Sequence, residues 1–116
     1  MREISVGKNL TANTLTTMYT VPRNHTARFY TLYVHNAGGN TKHFSAWWYD
    51  SSANTEIVIL LEYNLSTKTY LQLDGSSYVF LEEGDEIRVK SETGSTVSCI
   101  VTLEQEFKTA QQHGVS

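Results

Sequence analysis

Apolar and polar residues alternate with a period of two along most of this chain, and helical spacing is nearly absent. The clearest segment is 95–107, in which the apolar residues of one face are Val97, Cys99, Val101, Leu103 and Phe107. Such alternation predicts strands with one buried face, because successive side chains of a strand point to opposite sides. By the same criterion we expect strands at 3–6, 15–21, 28–34, 44–49, 55–63, 68–73, 78–81 and 85–89.

Three of these strands lead to specific predictions about faces. In 28–34 one face consists of Tyr30, Leu32 and Val34. In 44–49 the inward face consists of Phe44, Ala46 and Trp48, which leaves an outward face of Ser45, Trp47 and Tyr49. In 55–63 one face carries Ile57, Ile59 and Leu61, and the other is made partly apolar by Val58 and Leu60. A strand that is apolar on both faces is typical of the middle of a sandwich or of a subunit contact.

Clusters of Gly, Asn, Asp and Ser separate these segments at fairly regular intervals, at 22–24, 36–40, 50–52, 74–76, 83–85 and 92–94. Because Gly adopts positive φ freely and Asn and Asp tolerate it, such clusters reverse the chain. Eight or nine short strands at this spacing predict an all-β fold, a single-domain antiparallel β-sandwich over 1–107 that is jelly-roll-like. Residues 108–116 lose the alternation, and we expect a short polar C-terminal tail there.

The composition argues against two classes of partner. Among 116 residues the nine basic ones are scattered and the net charge is −3, which gives no concentrated positive surface for nucleic acid. The longest apolar run, 57–61, is too short to cross a bilayer, so we expect no membrane partner. The first residues form no apolar signal segment, and we expect synthesis in the cytoplasm.

Four histidines are the natural candidates for a metal site: His25, His35, His43 and His113. None of them forms a pair with the spacing that binds a metal from one strand or helix. His35 and His43 flank the Gly38-Gly39 turn and could face each other across a hairpin, although ordinary surface imidazoles are the default interpretation. We expect no metal and no cofactor.

The candidate nucleophiles and the paired carboxylates also give no indication of a catalytic site. No Ser lies in a Gly-x-Ser-x-Gly elbow. The single cysteine, Cys99, lies within an apolar alternation and is predicted to be a buried, reduced thiol. The carboxylates around Gly84 belong to a turn, where we expect them to be solvated: Glu82, Glu83, Asp85 and Glu86. We therefore predict that the protein is not an enzyme.

The aromatic run of Trp47, Trp48 and Tyr49 is the most distinctive local feature. If Trp48 enters the core, its two neighbours stand outward, where large aromatic side chains are costly unless something covers them. A subunit interface, packing beneath a loop and a platform for carbohydrate are all compatible with the pattern.

Three stretches in this order carry a resemblance: 13–22 (NTLTTMYTVP), 26–36 (TARFYTLYVHN) and 78–90 (YVFLEEGDEIRVK). They resemble small virion proteins of tailed bacteriophages that have a β-sandwich. In such proteins a T-x-Y-T-V-P opening strand precedes an A-x-x-x-x-L-x-V-x-N strand, and an L-x-x-G-D-x-I-x-V hairpin leads into the last strand. The resemblance covers about 10–107, nearly the whole chain.

The resemblance implies a virion structural protein located on the capsid surface, most simply a capsid decoration (cement) protein. Such proteins are often trimers that bind the major capsid protein across subunit junctions. In that role the N-terminal segment or the polar tail would reach onto neighbours, and the trimer would multiply the affinity. Our candidate interface residues are Trp47, Tyr49, Val58, Leu60, Arg2, Glu3, Ile4 and Phe107.

Two alternatives stay open. The first is a tail-fibre or baseplate component that binds a receptor or carbohydrate through Trp47, Tyr49 and nearby loops. The second is a small cupin-like enzyme with a metal held by His35 and His43. The absence of a His-x-His motif weighs against this enzyme.

Overall fold

The structure, a computed structural model, describes residues 2–108, without the side chains of 74–78. Over this range the chain forms eight β-strands: β1 (Arg2–Asn9), β2 (Thr16–Thr20), β3 (His25–Asn36), β4 (Lys42–Asp50), β5 (Thr55–Leu65), β6 (Thr69–Leu81), β7 (Glu86–Ser91) and β8 (Val97–Phe107). The predicted polar tail, apart from Lys108, lies outside the described residues, and so does His113.

The strands form two four-stranded antiparallel sheets. The first sheet has the order β1-β8-β3-β6 and the second the order β2-β7-β4-β5. The ladders pair the first strand with the last, the second with the seventh, the third with the sixth and the fourth with the fifth. This nesting is that of one long hairpin folded over on itself, which is the jelly-roll arrangement. The predicted antiparallel β-sandwich is confirmed.

The core lies between the two sheets and is built from the inward residues of the central strands. Fully buried side chains include Leu32 and Val34 of β3, Phe44 of β4, and Val101 and Leu103 of β8. The prediction of a buried Cys99 is confirmed, since the residue is a free cysteine without solvent exposure. Burial raises the pKa of its thiol to about 12, so the reactive thiolate is suppressed at neutral pH.

A bulge in β3 changes the predicted face of that strand. The register of β3 shifts between Phe29 and Thr31 against both neighbouring strands. Ala27 and Phe29 are therefore buried before the shift, and Leu32 and Val34 after it. The prediction that Tyr30 shares the face of Leu32 and Val34 is wrong, because an extra residue inverts the alternation.

The predicted turn at 74–76 is also wrong. Instead of two strands at 68–73 and 78–81, the chain forms the continuous strand β6. Its pairing with β3 moves from Thr31–Asp74 to Phe29–Val79, so β6 advances five residues while β3 advances two. Glycine within a strand often marks a bulge, and here the segment with Gly75 provides the extra residues of the bulge instead of a chain reversal.

The turn between β6 and β7 is fastened to the end of β2. Gly84 adopts a φ of 86°, which residues with a Cβ rarely adopt. Its N–H donates to the carbonyl of Val21 at 3.1 Å, and the Val21 N–H donates to the carbonyl of Asp85 at 2.9 Å. These bonds join the first and third stretches of the resemblance.

The Asp85 side chain closes the same turn from inside. It is buried, against the prediction that the carboxylates here are solvated. Its oxygens accept hydrogen bonds from the Ser51 N–H and hydroxyl, the Glu82 N–H and the Trp48 indole N–H. Burial raises the pKa of Asp85, but these hydrogen bonds outweigh it and hold the pKa below the ordinary 3.8.

Candidate interaction surface

Strand β5 forms an edge of the second sheet and exposes four large apolar side chains. We call them the β5 strip: Ile57, Val58, Leu61 and Tyr63, each 43–63% exposed. Among the described strands only β4 pairs with β5. The strand is apolar on both faces, as predicted, but it is an edge strand rather than a central one.

Two bulges in β5 explain which of its residues are exposed. The pairing moves from Trp47–Val58 to Ala46–Leu60 and then to Phe44–Tyr63, so β5 gains one residue at each step. Ile59 and Leu60 consequently both pack against the core. The predicted faces of this strand are therefore wrong: Ile57 and Leu61 are exposed, and Leu60 does not share an outward face with Val58.

The aromatic residues of β4 lie largely as predicted. Trp48 packs against the core, and its indole N–H donates to Asp85 at 3.3 Å. Tyr49 stands on the outer side, where the Arg88 guanidinium lies 3.9 Å from the centre of its ring. The Tyr49 hydroxyl also donates to the Asn54 side chain at 2.6 Å. The chain's own residues therefore cover much of Tyr49.

Arg88 is held over Tyr49 by two carboxylates. Its Nε donates to Glu86 and its Nη1 to Glu56, each at 2.8 Å. These hydrogen bonds raise the pKa of Arg88, and the bond from Arg88 lowers the pKa of Glu86. We call Tyr49, Glu56, Glu86 and Arg88 the Arg88 cluster; it is a closed network on the outer face of the second sheet.

Trp47, the other outward aromatic residue, is half-buried at the side of a groove of about 250 Å³. The groove is lined by Asn13, His43, Ser45, Trp47, Leu61, Glu62, Lys90, Ser91, Glu92 and Thr93. We call it the Trp47 groove. The groove lies beside the second bulge of β5, where the regular pairing with β4 is interrupted between Leu60 and Tyr63.

The remaining interface candidates lie far from β5 in the fold. Arg2, Glu3 and Ile4 belong to β1, an edge of the first sheet, and the first two are exposed. Phe107 ends β8 and is exposed. Its ring packs edge-on against His25, with 5.0 Å between the ring centres. The structure thus divides the eight candidates between the two sheets.

Sequence reasoning missed an apolar patch on the outer face of the first sheet. Tyr33 and Tyr70 stack with their ring centres 5.3 Å apart, and Ile100 is the cross-strand neighbour of Tyr33. Tyr70 and Ile100 are exposed. We call these three residues the Tyr70 patch. A signal existed, since Ile100 interrupts the polar face of an otherwise regular alternation.

The histidines do not come together. His35 lies on β3 in the first sheet and His43 on β4 in the second, so they do not face each other across a hairpin as the sequence suggested. The Nδ1 of His43 lies 3.6 Å from a Glu92 carboxylate oxygen. Within 2–108, no group of three residues with metal-binding side chains is found.

No family model matches the chain, and no curated protein matches it. The described residues include no helix of the length and apolar character that would cross a membrane. The surface itself therefore carries the functional inference.

Proposed function

We propose that this protein is a bacteriophage virion structural protein, a capsid decoration protein that binds sister copies and the major capsid protein. The observation that carries the proposal is the β5 strip, which places four large apolar side chains on an exposed sheet edge. Large exposed apolar side chains that are grouped together mark surfaces that other proteins cover. Because Ile57 pairs with Trp48 and Val58 with Trp47, the strip presents apolar side chains on both sides of this edge.

The energetics of the strip suit an assembled protein. Burying a large aliphatic side chain completely is worth about 1.5–3 kcal/mol, and roughly half remains available from a half-exposed one. Four such residues supply a few kcal/mol per contact, much of which association itself consumes. A single contact of this size is weak, whereas several contacts made by one trimer reinforce each other.

A decoration protein needs separate contacts with its sister copies and with the capsid. The β5 strip and the Tyr70 patch provide two apolar surfaces, and they belong to different sheets. We assign the β5 strip to sister copies because it lies at an edge, where a neighbouring strand or side chain can reach it from the side. The Tyr70 patch, on a sheet face, is assigned to the capsid.

The resemblance to phage virion proteins supports the proposal through the framework of the fold. Its first and third stretches meet at the bonds between Val21, Gly84 and Asp85. Its second stretch ends at Asn36, whose buried side-chain amide donates to the carbonyls of Asn40 and Leu65. These residues hold the sandwich together, so the function depends on the surface that the sandwich presents.

Co-sedimentation with empty capsids of the same phage tests the proposal. We expect the full chain to pellet with the capsids, and a Tyr70→Lys variant to stay in the supernatant. The control is Thr20→Lys, an exposed position on β2 in the other sheet, which should still pellet. Failure of the unaltered chain to bind capsids would contradict the proposal.

A further inference from the structure

The Trp47 groove has the local features of a built site. At its edge Glu62 adopts a φ of 50°, in the left-handed region that residues with a Cβ rarely occupy. The Glu62 N–H donates to the Ser45 hydroxyl at 2.9 Å, which fixes this conformation. Backbone strain that the surroundings maintain, and bulges that redirect side chains, both concentrate at functional sites.

One wall of the groove is apolar. Trp47 and Leu61 form it, with the indole half-buried and the leucine exposed. Trp47 contrasts with Trp48, whose indole N–H is bonded to Asp85. Among the described residues the indole N–H of Trp47 has no hydrogen-bond partner. The wall therefore offers a flat electron-rich face and a free donor beside it.

The opposite wall is polar. Lys90 and Asn13 line it and supply side-chain donors. Lys90 is the cross-strand neighbour of Ser45, so it lies on the same outer face of the sheet as Trp47. Ser91 follows Lys90 but its side chain is buried on the inner face beside Phe44, so the donors of this wall are those of Lys90 and Asn13.

Acceptors complete the rim. The Glu92 carboxylate accepts the His43 backbone N–H at 2.8 Å, which positions it at the mouth of the groove. Glu62 contributes a second carboxylate. Donors and acceptors are thus interleaved around one aromatic face, and Lys90 is outnumbered by the two carboxylates. This balance disfavours a phosphate or another anion as the ligand.

We propose that the Trp47 groove binds a saccharide, with one pyranose ring packed against the Trp47 indole. A pyranose has a C–H face that suits the negative face of an indole and hydroxyls that both donate and accept. The groove is smaller than the roughly 300–1,000 Å³ of drug-sized sites, which fits a single ring at the end of a glycan. The inference goes beyond the capsid assignment. Because Leu61 belongs to both the groove and the β5 strip, a saccharide and a sister copy would compete for this side chain.

Nuclear magnetic resonance of the full chain tests this directly, because the chain has only two tryptophans. The probes are free glucose, galactose, mannose, rhamnose and N-acetylglucosamine. We expect at least one of them to shift the Trp47 indole N–H signal while the Trp48 signal stays in place. Trp47→Phe assigns the two signals, and the bonded indole of Trp48 serves as an internal control.

Variants then separate the groove from its surroundings. We expect Trp47→Ala to weaken the saccharide at least about tenfold and Trp47→Phe to weaken it less, since a ring is retained. Lys90→Ala should weaken it several-fold. The control Thr20→Lys adds the same charge to an exposed position on β2, away from the groove, and should leave saccharide binding intact. Circular dichroism confirms that each variant folds.

The possible outcomes distinguish this proposal from the capsid assignment. If no sugar shifts the Trp47 signal, or if Trp47→Ala binds sugar as well as the unaltered chain, the saccharide proposal is overturned. If in addition Trp47→Ala loses capsid binding, the groove belongs to the protein interface and the proposed function stands. Sugar binding by a chain that ignores capsids would support the groove and overturn the decoration role.

Discussion

Two of the four edge strands, β1 and β5, differ in the side chains that they expose. β1 exposes the charged residues Arg2, Glu3 and Lys8 and no large apolar side chain. β5 exposes the charged residues Glu56 and Glu62 and, in addition, the four residues of the β5 strip. Charged side chains on an edge discourage another strand or apolar surface from docking. β1 therefore offers a partner no large apolar side chain, whereas β5 offers four. The difference teaches that the apolar exposure is a local property of β5 and not a general feature of a small sandwich.

The largest expected effect is on stability and comes from the buried hydrogen bonds of Asp85, which hold the sandwich together. Asp85→Ala leaves the N–H and hydroxyl donors of Ser51, the Glu82 N–H and the Trp48 indole without their acceptor, and should lower the free energy of unfolding by about 3 kcal/mol. Urea unfolding measures it. The matched control is Glu82→Gln, whose side chain is exposed and should change stability little. Similar losses in both variants would refute the role given to Asp85.

Placing charge on β5 tests whether this edge, and not β1, binds sister copies. In Val58→Lys/Tyr63→Lys, two lysines must enter any contact made by the strip, so we expect the oligomer to dissociate to monomers on size-exclusion chromatography. Ser5→Lys/Asn9→Lys puts the same charge on exposed positions of β1 and should leave the oligomer intact. Dissociation of the β1 variant alone would reverse our assignment of the two edges.

Acid should reduce the contribution of Asp85 to the stability of the fold. Because the folded pKa of Asp85 lies below its ordinary 3.8, its contribution is complete above that pH and is lost as the pH falls through the lower folded value. The stability difference between the unaltered chain and Asp85→Asn should therefore shrink between about pH 6 and pH 2. Urea unfolding at several pH values measures it, and a difference that grows on acidification would have the wrong sign.

The smallest effect concerns the covered aromatic residue next to the open strip. Arg88→Gln removes the cation over Tyr49 and should cost about 1 kcal/mol, since the cluster is partly exposed and its ion pairs are screened. It should also increase the access of a soluble quencher to Tyr49. Lys90→Gln, on the same strand, is the control and should cost less than about 0.5 kcal/mol. Equal costs would show that Arg88 contributes nothing specific.

The fold could be predicted because its main signals are local. Alternation of apolar residues located the strands, and Gly, Asn and Asp located most of the turns. The buried positions of Cys99 and Trp48 followed from the same period. These properties depend on a residue and its near neighbours, which a single sequence contains.

The errors arose where a distant strand decides the conformation. The bulges at Tyr30 and in β5 depend on how many residues the partner strand contributes, and each one inverts the alternation beyond it. Asp85 was expected in solvent because its turn is acidic, but Ser51 approaches from another turn and supplies two donors.

The candidate site was predicted only in part for the same reason. Trp47 and Val58 were identified from their strands. The Trp47 groove joins Trp47 to Asn13, Glu62 and Lys90, which come from four separate segments. Neither the groove nor the Tyr70 patch exists until strands that are distant in the sequence pair within a sheet.

The molar mass of the unaltered full chain in solution tests the central claim most directly. Sedimentation equilibrium over a range of concentrations should give a multiple of the 13.1 kDa of one chain, with the trimer as the expected species. A mass of one chain at every concentration would mean that no sister copy covers the β5 strip, and would contradict the proposal that the protein assembles through β5.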